Sequence, residues 1–100
     1  MTKPNLEIGK KYIVEDYPNE EIFESEYLGV STLEKRHVFK TQIDGSNAYL
    51  ILEDHWIVEI EETVTYSPRS SSGIEVITEK AIESNTKTQN RIEAILVGLK

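Results

Sequence analysis

Apolar and polar residues alternate with a period of two along most of the first two-thirds of the chain, the geometry of strands whose successive side chains point to opposite sheet faces. Lys10–Asp16 places Tyr12 and Val14 on one face and Ile13 on the other. Tyr17-Pro18-Asn19-Glu20 then reads as a turn, with proline pre-setting one φ and asparagine tolerating a left-handed conformation. In Glu21–Ser31, Phe23, Ser25, Tyr27 and Gly29 oppose Ile22, Glu24, Glu26, Leu28 and Val30, and Gly29 marks a bulge. His37–Ile43 and Ala48–Leu52 are strands joined by the hairpin dipeptide Asp44-Gly45. Glu53-Asp54-His55 has the length of one tight helical turn, and Trp56–Ile60 forms the next strand.

Beyond Ile60 the alternation continues, and Trp56, Val58, Ile60, Glu62, Val64 and Tyr66 fall on one face of a long strand. Ser67–Gly73 has the composition of a flexible loop, and Ile74–Thr78 reads as a further strand. The expectation is that 62–66 and 74–78 form a two-stranded arm. From there the period changes. Ile92, Ile95, Leu96 and Leu99 recur at helical spacing, and Thr86 with Gln89 matches a capping box. That predicts a helix over about 87–99, with Ala81 and Ile82 compatible with a start near Glu79.

Short strands spaced by turns indicate a mainly β chain. With so few residues, a partly open SH3-like barrel of about five strands is the economical architecture, followed by the arm and a C-terminal helix. The expected organisation is a barrel over 1–66, a loop and extra strand over 67–78, and an amphipathic helix over 79–100, all in one compact domain.

The pattern Tyr27-x-Gly29, His37-x-Phe39, Leu50-Ile51-Leu52-Glu53-Asp54 and Ile57-Val58-Glu59-Ile60-Glu61-Glu62 resembles small SH3-like proteins encoded by phages and prophages of Gram-positive bacteria. The resemblance covers about residues 8–62. It implies a fold and a genomic context, and brings no biochemical activity and no functional residues with it.

Composition narrows the function. The 100 residues contain no cysteine, which removes disulfides, thiolate metal sites and cysteine nucleophiles. No apolar run approaches the roughly 20 residues of a membrane span, and Met1–Asn5 lacks the apolar core of a secretion signal, so a soluble cytoplasmic protein is expected. Net charge is −7, unevenly placed: residues 41–66 carry six Asp or Glu and no Lys or Arg. Such a surface repels phosphate backbones and suits a basic protein partner, while acidity that simply keeps the chain soluble is the favoured reading.

His37 and His55 lack metal-ligand spacing, and neither a metal nor another cofactor is expected. His37 reads as a surface or edge-strand residue and His55 as part of a turn. The carboxylates Glu15, Asp16, Glu20, Glu21, Glu24 and Glu26 read as solvent-facing, and no nucleophile or phosphate-binding motif is present. A non-enzymatic module is therefore expected, binding a protein through an acidic and aromatic surface. Tyr17, Tyr27 and Tyr49 are the candidate exposed rings, Asp44, Glu53 and Asp54 the candidate acids, while Phe39 and Trp56 are assigned to the core. The stripe Ile92, Ile95, Leu96 and Leu99 needs burial, either on its own barrel, the favoured alternative, or against another copy or another protein. A nucleic-acid-binding module, using Lys10, Lys11, Lys35, Arg36 and Lys40, and an oligomeric phage assembly component are the competing readings.

Overall fold

The computed structural model describes residues 5–69 and 72–99. Expectations that fall on 1–4, 70, 71 and 100 lie outside the described residues. Seven strands form a single sheet: β1 Lys11–Asp16, β2 Glu21–Val30, β3 His37–Ile43, β4 Ser46–Leu52, β5 Ile57–Ile60, β6 Thr63–Tyr66 and β7 Glu75–Thr78. Two helices follow, α1 Glu79–Ser84 and α2 Thr86–Val97. The strand order is β5-β6-β1-β2-β3-β4-β7, and the sheet curls into a half-barrel, so β5 and β7 are its edges. The mainly β architecture with a C-terminal helix is as expected; the strands number seven rather than about five.

Three neighbouring antiparallel pairs, β1–β2, β2–β3 and β3–β4, build the middle of the sheet. Between β3 and β4, Asp44 and Gly45 both take positive φ, the conformation that the dipeptide was expected to supply. The β2–β3 register shifts between Tyr27 and Gly29, where Gly29 has φ 122°, so the expected bulge is present. Asp54–Trp56 forms one turn of 3-10 helix, as the interruption between β4 and β5 suggested.

Two apolar clusters lie on opposite faces. The inner face gathers Tyr12, Val14, Phe23, Tyr27, Phe39, Leu50, Leu52, Ile57, Val64 and Tyr66. Trp56 packs against it half-buried, whereas Phe39 is fully enclosed. On the other face Val38, Ile51 and Ile77 meet Ile92 and Ile95 of α2, with Leu28, Tyr49, Leu96 and Leu99 around them. Because β3 and β4 are covered on both faces, Val38-Phe39 and Leu50-Ile51-Leu52 are apolar runs rather than alternations. The helical stripe thus docks on the chain's own sheet, and a short bridge between Ser31 and Leu99 closes its end.

Four expectations are corrected. There is no long strand across residues 56–66: the chain reverses at Glu61-Glu62, Glu61 takes φ 58°, and β5 folds back antiparallel on β6. The 62–78 arm does not form, because β6 pairs in parallel with β1 while β7 pairs with β4. The capping residue of α2 is Asn85 rather than Thr86; its side chain accepts from the N–H groups of Lys87 and Thr88. Finally, Asp16 is buried, where it was placed among solvent-facing acids. Its Oδ2 accepts from Asn19 Nδ2 and from the Ile74 N–H, so one carboxylate secures both the β1–β2 turn and the start of the last strand segment. Gly73 lies so close that a Cβ there would meet Asp16 and Asn19 at 2.2–2.5 Å.

Candidate interaction site

The predicted site residues do not share one surface. Tyr17 is 70% exposed in the β1–β2 turn, and Asp44 is exposed in the β3–β4 turn. Tyr49 is half-buried against the α2 cluster, on the opposite face of the sheet from Tyr27. Tyr27 is the clear correction: it is 4% exposed, packed on Tyr12 and Phe39 with ring centroids 6.4 and 5.1 Å away. An aromatic groove built from Tyr17, Tyr27 and Tyr49 is therefore absent. Regular alternation explains this, since Tyr27 shares the buried face of β2 with Phe23 and Ser25 and the register slips only after it.

Tyr27 instead begins a hydrogen-bonded chain. Its hydroxyl lies 2.7 Å from His37 Nδ1, and His37 Nε2 lies 2.6 Å from Asp54 Oδ1. A carboxylate accepts from Nε2–H, and in the tautomer that carries its proton there Nδ1 accepts from the Tyr27 hydroxyl. Burial, followed by the Asp54 charge, pushes the Tyr27 phenol up to about 12. His37 is buried, correcting its assignment to a surface or edge position. Hydroxyl, imidazole and carboxylate in line can pass a proton, but chemistry requires a substrate at the hydroxyl. Two surface grooves, of about 880 and 740 Å³, are lined by other residues. What the chain does in this geometry is fasten: it ties β2 and β3 to the 3-10 turn that carries Glu53 and Asp54.

Beside it an ion network joins helix to sheet. Arg91 of α2 donates Nε and Nη2 to Glu34 at 2.7 and 2.8 Å, and also binds Glu75 of β7 through Nη1 and Nη2. Arg36 reaches Glu75 at 3.2 Å and Glu53 at 4.0 Å. Hydrogen bonding from Arg91 holds the Glu34 and Glu75 carboxyls below their usual range and raises the guanidinium further. Glu53, a candidate for partner contact, is thus already engaged by Arg36 and lies 3.5 Å from His55.

The exposed surface with the strongest signature was not anticipated. Register aligns Val58, Thr65, Glu15 and Ile22 in one cross-strand row, and Ile60, Thr63, Ile13 and Glu24 in the next. Both rows lie on the outer face of β5-β6-β1-β2, where Ile13 and Val58 are exposed and Ile22 and Ile60 are each 69% exposed. Acids border this patch, with Glu15 and Glu24 within it and Glu61 and Glu62 at the turn. The larger groove lies alongside, over Ile13, Ile22, Glu24, Glu26 and Lys40. A further row, Lys11, Glu26, Lys40, alternates charge. With Arg36 bound to Glu75 and Glu53, the supposed basic patch is broken up by acids. Ile22 was not legible as exposed, because apolar residues occupy both faces of β2 and imply cover on both sides. Val58 and Ile60 were missed because nothing in Glu61-Glu62 announces a hairpin, and without it they fall on the same face as Val64.

Searches against protein-family models, curated proteins and solved structures find no match to this chain. Among the described residues no group of three His, Asp or Glu is placed to hold a metal, and no helix is long and apolar enough to cross a membrane.

Proposed function

We propose that this chain is a non-catalytic protein-interaction module whose partner is basic and docks on the outer face of β5-β6-β1-β2. The observation that carries the proposal is the exposure of Ile13, Ile22, Val58 and Ile60 together on that face, beside a segment without Lys or Arg. Apolar side chains supply the burial energy of an interface, and the surrounding acids select the charge of what approaches. On the resemblance to phage and prophage proteins, the partner would be a host protein whose activity the module modulates.

The test uses the intact chain and an Ile22→Asp/Ile60→Asp variant as baits in a Gram-positive lysate, after circular dichroism has verified equal folding. The expected result is one basic protein at stoichiometric yield, retained by the intact chain, released by salt and lost with the variant. Recovery of nucleic acid, or identical recovery with both baits, would overturn the proposal.

A further inference from the structure

The β5 edge of the sheet has unpaired backbone groups as well as exposed side chains. Ser67 N–H donates to Trp56 C=O at 3.1 Å, and the β5–β6 register pairs Val58 with Thr65 and Ile60 with Thr63. In an antiparallel ladder hydrogen-bonded and non-bonded pairs alternate. Trp56, Val58 and Ile60 therefore spend their backbone groups on β6, while the N–H and C=O of Glu59 and the C=O of Ile57 point away from the sheet. No hydrogen bond from another described residue reaches them.

Such an edge is a template for another strand, and its side chains decide which. A second copy pairing β5 on β5 would bring Glu59, Glu61 and Glu62 of both chains together, three acids per chain against Lys10, the one cation among the described residues that lines the same groove. Like charges on facing strands are destabilising, so the edge is guarded against itself. The same acids attract a cationic strand. A strand added beside β5 would set alternate side chains next to Glu59 on one face and next to Val58 and Ile60 on the other.

We infer that β5 binds an extended segment of the partner by strand addition, and that this segment alternates basic and apolar residues. This rests on the interaction-module reading and specifies its mode and its ligand. The opposite edge is dressed differently: Glu75 of β7 is held by Arg36 and Arg91, and β7 runs directly into α1.

The experiment titrates the intact chain with two synthetic peptides of equal composition, one alternating lysine and valine, the other with the same residues at amphipathic helical spacing. Amide exchange and chemical shifts are followed by NMR. The expected result is preferential binding of the alternating peptide, with slowed exchange of the Glu59 N–H. Glu59→Pro removes that N–H without touching the ladder to β6 and should weaken binding about tenfold, the equivalent of losing one or two edge hydrogen bonds. Glu59→Lys should weaken it at least as much, and its shape tolerance is checked by Glu59→Gln, which keeps the backbone group and should bind at an intermediate level. If the helical-pattern peptide binds as well or better, with shifts at Ile13 and Ile22, strand addition is wrong while the interaction module stands. If neither peptide binds, the basic-partner reading falls with it.

Discussion

Buried Tyr27 shows how one side chain can be both core and polar connector. Its ring completes a cluster with Tyr12 and Phe39, and its hydroxyl satisfies a histidine nitrogen that would otherwise be buried without a partner. Tyr27→Phe should therefore lower stability by about 1–2 kcal/mol in denaturant unfolding, the cost of an orphaned buried acceptor rather than of lost packing. Because the folded-state phenol lies above its ordinary value of 10.0, the neutral form is the one the fold favours. Its contribution is complete below pH 10.0 and disappears as pH rises through about 12, an alkaline limb that Tyr27→Phe should lack. Glu34 and Glu75 behave in the opposite sense. Their depressed folded values mean that the stabilisation is complete above the ordinary 4.5 and is lost as pH falls below it. Arg91→Gln should flatten the acid limb of a stability–pH profile and cost about 1–2 kcal/mol at neutral pH, since the network is half-exposed.

Among the elements, α2 depends on a single apolar stripe and a single cap. Ile95 is fully enclosed between Val38, Ile51 and Ile77, and Ile95→Ala should cost about 3 kcal/mol through lost burial and the cavity it leaves. Asn85→Ala removes the acceptor for two helix N–H groups and should cost about 1 kcal/mol. Chemical denaturation of both variants ranks the two effects, and equal losses would contradict the packing described. The β5–β6 hairpin is the element with the least local support. Its reversal depends on Glu61 accepting a left-handed conformation that costs an ordinary residue about 1 kcal/mol. What holds it is tertiary: Ile57, Val64 and Tyr66 enter the inner cluster, and Glu62 C=O accepts from the Ile13 N–H at 2.8 Å.

For the whole molecule, charge and edge exposure act together. A half-barrel leaves two sheet edges, and β5 has Glu59 on the strand with Glu61 and Glu62 beyond it. Neutralising the three as Glu→Gln should remove the like-charge barrier and produce concentration-dependent self-association through β5, measured by analytical ultracentrifugation at low ionic strength. A variant that stays monomeric at all concentrations would show that the acids do not guard the edge.

Local information is what the chain itself carries: period-two alternation in β1 and β2, the apolar runs of β3 and β4, the Asp44-Gly45 hairpin, the Gly29 bulge, the short helical turn after Leu52 and the stripe of α2. Each is written into neighbouring residues, by alternation, by glycine tolerance of positive φ or by helical spacing. Tertiary structure decided the rest. Whether Val58 and Ile60 face in or out depended on a reversal at two glutamates, a turn that carries no Gly, Asn or Pro and exists because the flanking side chains pack elsewhere. His37 and Asp16 were read as exposed because polarity is local, whereas their partners, Tyr27 with Asp54 and the Ile74 N–H, are 10, 17 and 58 residues away. Contacts at such separations leave no periodic trace in the chain, so the exposed apolar surface, formed by outer rows of four strands, became visible only when the sheet register aligned them.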